Sequence, residues 1–134
     1  MEDSSGTMNK KYKVRLAGHE IGETMLESAD PPMGVVSGRI IFNGVKSGYD
    51  LFKTHCTAKG VAINNDFPKD KFIDTQHIHD LEVISDDGAA ILGQASAVTG
   101  FDEEGFEVQI FGIPYPFYEE QFPDHVKQYQ EKFK

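Results

Sequence analysis

The sequence has no tryptophan and a single cysteine, Cys56. One thiol cannot form an internal disulfide, so the fold does not depend on oxidation, and a reducing cytoplasm is the expected compartment. No apolar run approaches the roughly 20 residues that span a bilayer. The first residues, MEDSSGTMNKK, lack the apolar core of a secretory signal. Internal repeats, heptad arrays and low-complexity stretches are absent. No Gly-rich loop followed by Lys is there to cradle phosphate, and Ser37 in Gly34-Val35-Val36-Ser37-Gly38 does not have the G-x-S-x-G spacing of a nucleophile elbow. His19-Glu20-Ile21-Gly22-Glu23 starts like a zinc-protease helix but carries Glu23 where the second histidine must stand. No motif therefore specifies a reaction.

The scarcest feature is positive charge in the second half. The chain has 13 Lys+Arg against 22 Asp+Glu, a net charge of -9. Residues 1–67 carry eight cations and eight acids, so the whole imbalance lies in 68–134. No Lys or Arg occurs from Phe72 to Val126, a stretch that holds twelve acids. Nucleic acid is excluded as the expected ligand, because phosphate binding needs clustered Lys and Arg. A one-signed surface instead repels itself and speeds association with partners of opposite sign. Its plainer reading is solubility.

What is present is enough for one soluble domain: 134 residues, 39% hydrophobic and 26% charged. Residues 1–9 are polar and read as a disordered tail, leaving 10–134 as the folded domain. Lys11–Ala17 alternates, with Tyr12, Val14 and Leu16 on one face, which predicts a half-buried strand. Glu20–Glu27 reads as a second strand, and Asp30-Pro31-Pro32-Met33-Gly34 forces a turn. Val35–Phe42 is the next strand, with Val36, Ile40 and Phe42 on one face. Ser47 and Asp50 form a capping-box variant that opens a helix over about 48–59, with Gly60 as its stop. Tyr49, Phe52 and Cys56 recur at helical spacing there, so Cys56 reads as a buried thiol.

Val61–Ile63 is expected as a short strand and Asn64 to Asp74 as a loop. Gln76–Ile84, Ala89–Val98 and Glu107–Ile113 read as strands joined by hairpin turns at Asp86-Asp87-Gly88 and Asp102–Gly105. The last is expected at the centre of its sheet. A second helix, about 123–133, begins at Pro123 with Val126, Tyr129 and Phe133 as its apolar stripe. The sum is α+β: a mainly antiparallel sheet of about five to seven strands and two helices.

Two candidate sites follow. His77 and His79, two apart on an expected strand, would share a face and could meet one metal ion, but spacing supplies only two of the three or four ligands needed. No cofactor is therefore expected, and a metal-binding protein or metal-dependent enzyme remains the alternative. The other candidate is a partner interface. It comprises the acids Asp86, Asp87, Asp102, Glu103, Glu104 and Glu107, brought together by the two hairpins. Tyr115, Tyr118, Glu119 and Glu120 add aromatic anchors ringed by charge. The favoured reading is a non-enzymatic acidic binding module for a basic protein partner, away from membranes and nucleic acid; homo-oligomerisation is left open. In size and charge alone it resembles the immunity proteins and antitoxins that neutralise basic nuclease toxins. Such proteins present acids where the toxin's cleft holds phosphates.

Overall fold

β1 (Tyr12–Leu16) converts sequence alternation directly into architecture. Tyr12, Val14 and Leu16 are buried, and Lys11 and Lys13 face water. The computed structural model describes residues 10–132, so the expected tail 1–9 and Phe133 lie outside the described residues. β1 sits inside a four-stranded antiparallel sheet in the order β5–β2–β1–β8, made with β2 (His19–Thr24), β5 (Ile41–Phe42) and β8 (Leu81–Ser85). Lys13 lies opposite Glu23, and Arg15 lies opposite Glu20 on one side and Glu82 on the other. Such cross-strand pairs each contribute about 0.2–1 kcal/mol.

A six-stranded antiparallel sheet follows the order β3–β4–β10–β9–β7–β6. Its strands are β3 (Ser28–Asp30), β4 (Val35–Arg39), β6 (Ile63–Phe67), β7 (Phe72–Thr75), β9 (Ala95–Phe101) and β10 (Gly105–Phe111). The inner faces of both sheets feed one hydrophobic cluster: Val14, Leu16 and Val83 from the smaller sheet, Val36, Val98 and Val108 from the larger. α1 (Gly48–Lys59) adds Phe52 and Cys56, both fully buried. The rings of Phe42, Phe52 and Phe106 meet there with centroids 5.6–6.2 Å apart. Ser47 caps α1 by accepting from the Asp50 N–H, and Gly60 closes it at φ 71°, a left-handed conformation that favours glycine. α2 (Phe117–Gln121) and α3 (Pro123–Lys132) end the described chain.

The α+β class and antiparallel pairing hold, with more elements than expected: ten strands in two sheets, and three helices, among the described residues. Val35–Phe42 breaks at Ile40, whose N–H donates to Phe106 O at 2.8 Å while Ile41 and Phe42 cross to the other sheet. The segment expected as a loop, Asn64 to Asp74, is instead most of the β6–β7 hairpin, turning at Pro68–Asp70. Gln76–Asp80 is not strand: Ile78 is fully buried, but in a turn where its N–H donates to Ser96 O. Asp86–Gly88 does turn the chain, yet β8 and β9 lie in different sheets, and β9 begins only at Ala95. β10 is central by pairing with β4 and β9, although its outer face carries Glu107 and Gln109 rather than a second apolar row. Val126 is buried in α3, but Tyr129 is 36% exposed.

Candidate functional site

Large side chains left in water are the first guide to a contact surface. Met33, Leu92, Phe111 and Tyr115 are 67%, 68%, 37% and 49% exposed. They come from three segments that touch. β10 ends at Phe111, whose carbonyl accepts from the Gln94 N–H at 2.7 Å; Ile113 N–H then donates to Gly34 O at 2.9 Å. Tyr115 Oη donates to Pro31 O at 3.2 Å. The end of the central strand thus gathers a loop before β9, the diproline turn before β4 and the chain leading to α2.

Acids rim this end. Tyr118 anchors α2: it is fully buried, its Oη donates to Val35 O at 2.8 Å, and its ring stacks on Tyr115 with centroids 5.2 Å apart. Burial pushes its phenol pKa well up, so it stays a neutral donor. With Tyr118 inward, Glu119 and Glu120 are exposed, and Asp30 is exposed beside the diproline turn. Asp86 joins from the smaller sheet. Its turn follows Ser85, which pairs with Tyr12, and the Tyr12 ring lies 6.1 Å from that of Phe122 at the end of α2. Burial, and then the charges of Asp87 and Asp86, push Tyr12 up to about 12. Segments 30–34, 86–94 and 111–122 contain no Lys or Arg. Lys10, 5.5 Å over the Tyr12 ring, and Lys132, which lines a hollow with Ala29 and Pro31, are cations at the margin.

The expected interface residues separate into two ends. Asp86, Tyr115, Glu119 and Glu120 lie at the α2 end. Asp102, Glu103 and Glu104 lie at the other, with the seven residues of β10 between, about 20 Å of strand. They do not form one acidic field. Tyr118 is buried and cannot be a contact residue. Two of the acids serve the fold. Asp102 accepts from Ser47 Oγ at 2.6 Å and from Tyr49 N–H at 2.9 Å, tying the β9–β10 hairpin to the start of α1. Asp87 accepts from Ser85 Oγ and the Ala89 N–H, which hold its carboxyl below the usual range. Glu107 stands on the outer face of β10 opposite Arg39.

His77 and His79 sit in the turn before β8, so strand alternation does not orient them; their ring centroids are 4.4 Å apart. His77 Nδ1 accepts from the Ser96 N–H at 2.9 Å. Among the described residues no group of three or more His, Cys, Asp or Glu is placed to hold a metal ion. His55, its side chain 10% exposed on α1, has Nε2 3.5 Å from Asp80 Oδ2. No helix among the described residues is long and apolar enough to cross a membrane.

Met33, Leu92 and Phe111 were not legible as site residues. Each sits in or beside a segment whose pattern reads as ordinary turn or strand, and their exposure depends on where three distant segments meet. Tyr115 carried a signal, flanked by Pro114 and Pro116. The chain matches no protein-family model, and comparison with curated proteins and with solved structures returned no match.

Proposed function

We propose that the chain is a non-enzymatic binding module whose α2 end takes a basic protein. The observation that carries this reading is the gathering of four exposed apolar side chains with exposed acids, in segments without Lys or Arg. Apolar anchors at the centre of a contact and charges at its rim are the arrangement of specific interfaces. The rim sets partner sign and encounter rate; the anchors set residence time. A nuclease cleft built for phosphates is one surface of the required sign, which Asp30, Asp86, Glu119 and Glu120 would answer in charge.

Photo-crosslinking in the native cell tests the reading, because the crosslink itself captures the partner. A photoreactive side chain at position 92 should trap a protein of basic composition. The same group at position 41, where Ile41 is 59% exposed but lies outside this end, should not. Equal trapping at both positions, or none at 92, removes the proposal.

A further inference from the structure

The opposite end offers a different surface. On the outer face of the larger sheet one row of side chains crosses four strands: Phe67 lies opposite Phe72, Phe72 opposite Phe101, and Phe101 opposite Gly105. The rings follow one another in series, tilted by 40° and 51°, with centroids 5.6 Å and 6.2 Å apart. Phe67 is 52% exposed at the edge. At the other end of the row Gly105 has no side chain, and the Arg39 guanidinium lies over it, with Nη1 donating to Glu104 O at 2.6 Å. The next row is polar: Asn65, Asp74, Thr99 and Glu107. Two turns bound the rows side by side. The β6–β7 turn carries Lys69, Asp70 and Lys71, and the β9–β10 turn carries Asp102, Glu103 and Glu104. They are joined by the Asp102 N–H donating to Lys71 O at 3.2 Å, and the hollow they share with the rings measures about 460 Å³.

We infer that this face is the contact between two copies of the chain, related by a twofold axis that lies in the interface, parallel to the strands and between β7 and β9. That axis exchanges β7 with β9 and β6 with β10. Phe72 of one copy then meets Phe101 of the other. The protruding Phe67 falls over Gly105, on the Arg39 guanidinium that covers it, a cation–π contact. In the polar row Asp74 meets the Thr99 hydroxyl, and Asn65 meets Glu107. Lys69 of each copy faces Glu103 and Glu104 of the other, while Lys71 is held by Asp50 and the Tyr49 ring of its own copy. A surface complementary to itself under a twofold is what an isologous contact requires. This sets a second copy apart from an acidic partner, which Glu103 and Glu104 would repel, and from a basic one, which Lys69 would oppose. The inference does not rest on the reading of the α2 end.

Sedimentation velocity of the full chain over a concentration series tests it. The weight-average sedimentation coefficient should rise towards that of a dimer. Phe67→Ser, at an exposed edge position, should abolish the rise while the circular dichroism spectrum of the folded chain holds. Lys69→Glu and Glu103→Lys should each weaken the dimer about fivefold, since every rim pair occurs twice. The double exchange should restore it. A monomer at every soluble concentration, a dimer indifferent to Phe67→Ser, or a double exchange that fails to restore the affinity would overturn the inference.

Discussion

Cys56 and Asp66 show how neighbours set the chemistry of a single group. Cys56 is fully buried in α1, and burial pushes its thiol up, against a smaller opposing effect of the Lys53 charge. A thiol so placed is a packing residue. It should fail to react with a thiol-specific disulfide reagent in native protein and react fully in denaturant; prompt reaction of the native chain would contradict this. Asp66 accepts from the Lys53 ammonium and from Tyr49 Oη, and these two bonds hold its carboxyl below the ordinary range. A carboxyl with a depressed folded pKa stabilises the fold above its unfolded value, about 4, and that contribution is lost as pH falls through the lower folded value. Asp66→Asn should therefore lower the urea midpoint clearly at pH 7 and much less near pH 3. A gap that stays constant with pH would show that the charge of the carboxyl adds nothing to those two bonds. The burial of Cys56 was legible from helical spacing with Tyr49 and Phe52. The partners of Asp66 and Asp102 were not, because each bond joins residues brought together only by tertiary folding.

At the scale of elements, α1 was the most legible, because cap, apolar stripe and glycine stop all agree on one span. Its start is held twice, by Ser47 within the helix and by Asp102 across from the β9–β10 hairpin. Ser47→Ala should cost about 1 kcal/mol, as N-cap losses do. Asp102→Ala should also destabilise, and the double variant should cost less than the sum, because Ser47 and Asp102 share a hydrogen bond. Additive losses in denaturant melts would mean that the hairpin and the helix are not coupled. Strands were legible where one face is buried along the whole strand, as in β1. The alternation at Gln76–Ile84 was misleading because Ile78 is buried by a turn rather than by a sheet. β6 was hidden because Asn64, Asn65 and Asp66 are poor strand formers held at a sheet edge by pairing with β7. α2 was hidden because it is five residues long and begins without a side-chain cap.

Across the whole molecule, the cation-free stretch is broken up by folding. Glu82 lies opposite Arg15, Glu107 opposite Arg39, and Asp102 sits at the N-terminus of α1. Cations from the first half of the chain thus answer acids of the second, which no count along the sequence could reveal. What survives is local: acids around Met33, Leu92, Phe111 and Tyr115 at the α2 end. The apolar anchors there should govern dissociation. Leu92→Ser should raise the dissociation rate of the partner trapped at position 92 by about tenfold, as loss of a central anchor does. An unchanged rate would place Leu92 outside the contact.

The most direct measurement is the association rate of that partner, at dilution and across a salt series, with two charge reversals compared. Glu119→Lys with Glu120→Lys reverses the rim at the α2 end; Glu103→Lys with Glu104→Lys reverses the acidic turn at the far end. Exposed charges steer encounter within a screening length of about 8–10 Å at physiological salt. The first pair should slow association by about tenfold and flatten its salt dependence, while the second should leave the rate within about twofold. Equal slowing by both pairs, or slowing by the far-end pair alone, would mean that the partner does not bind at the α2 end.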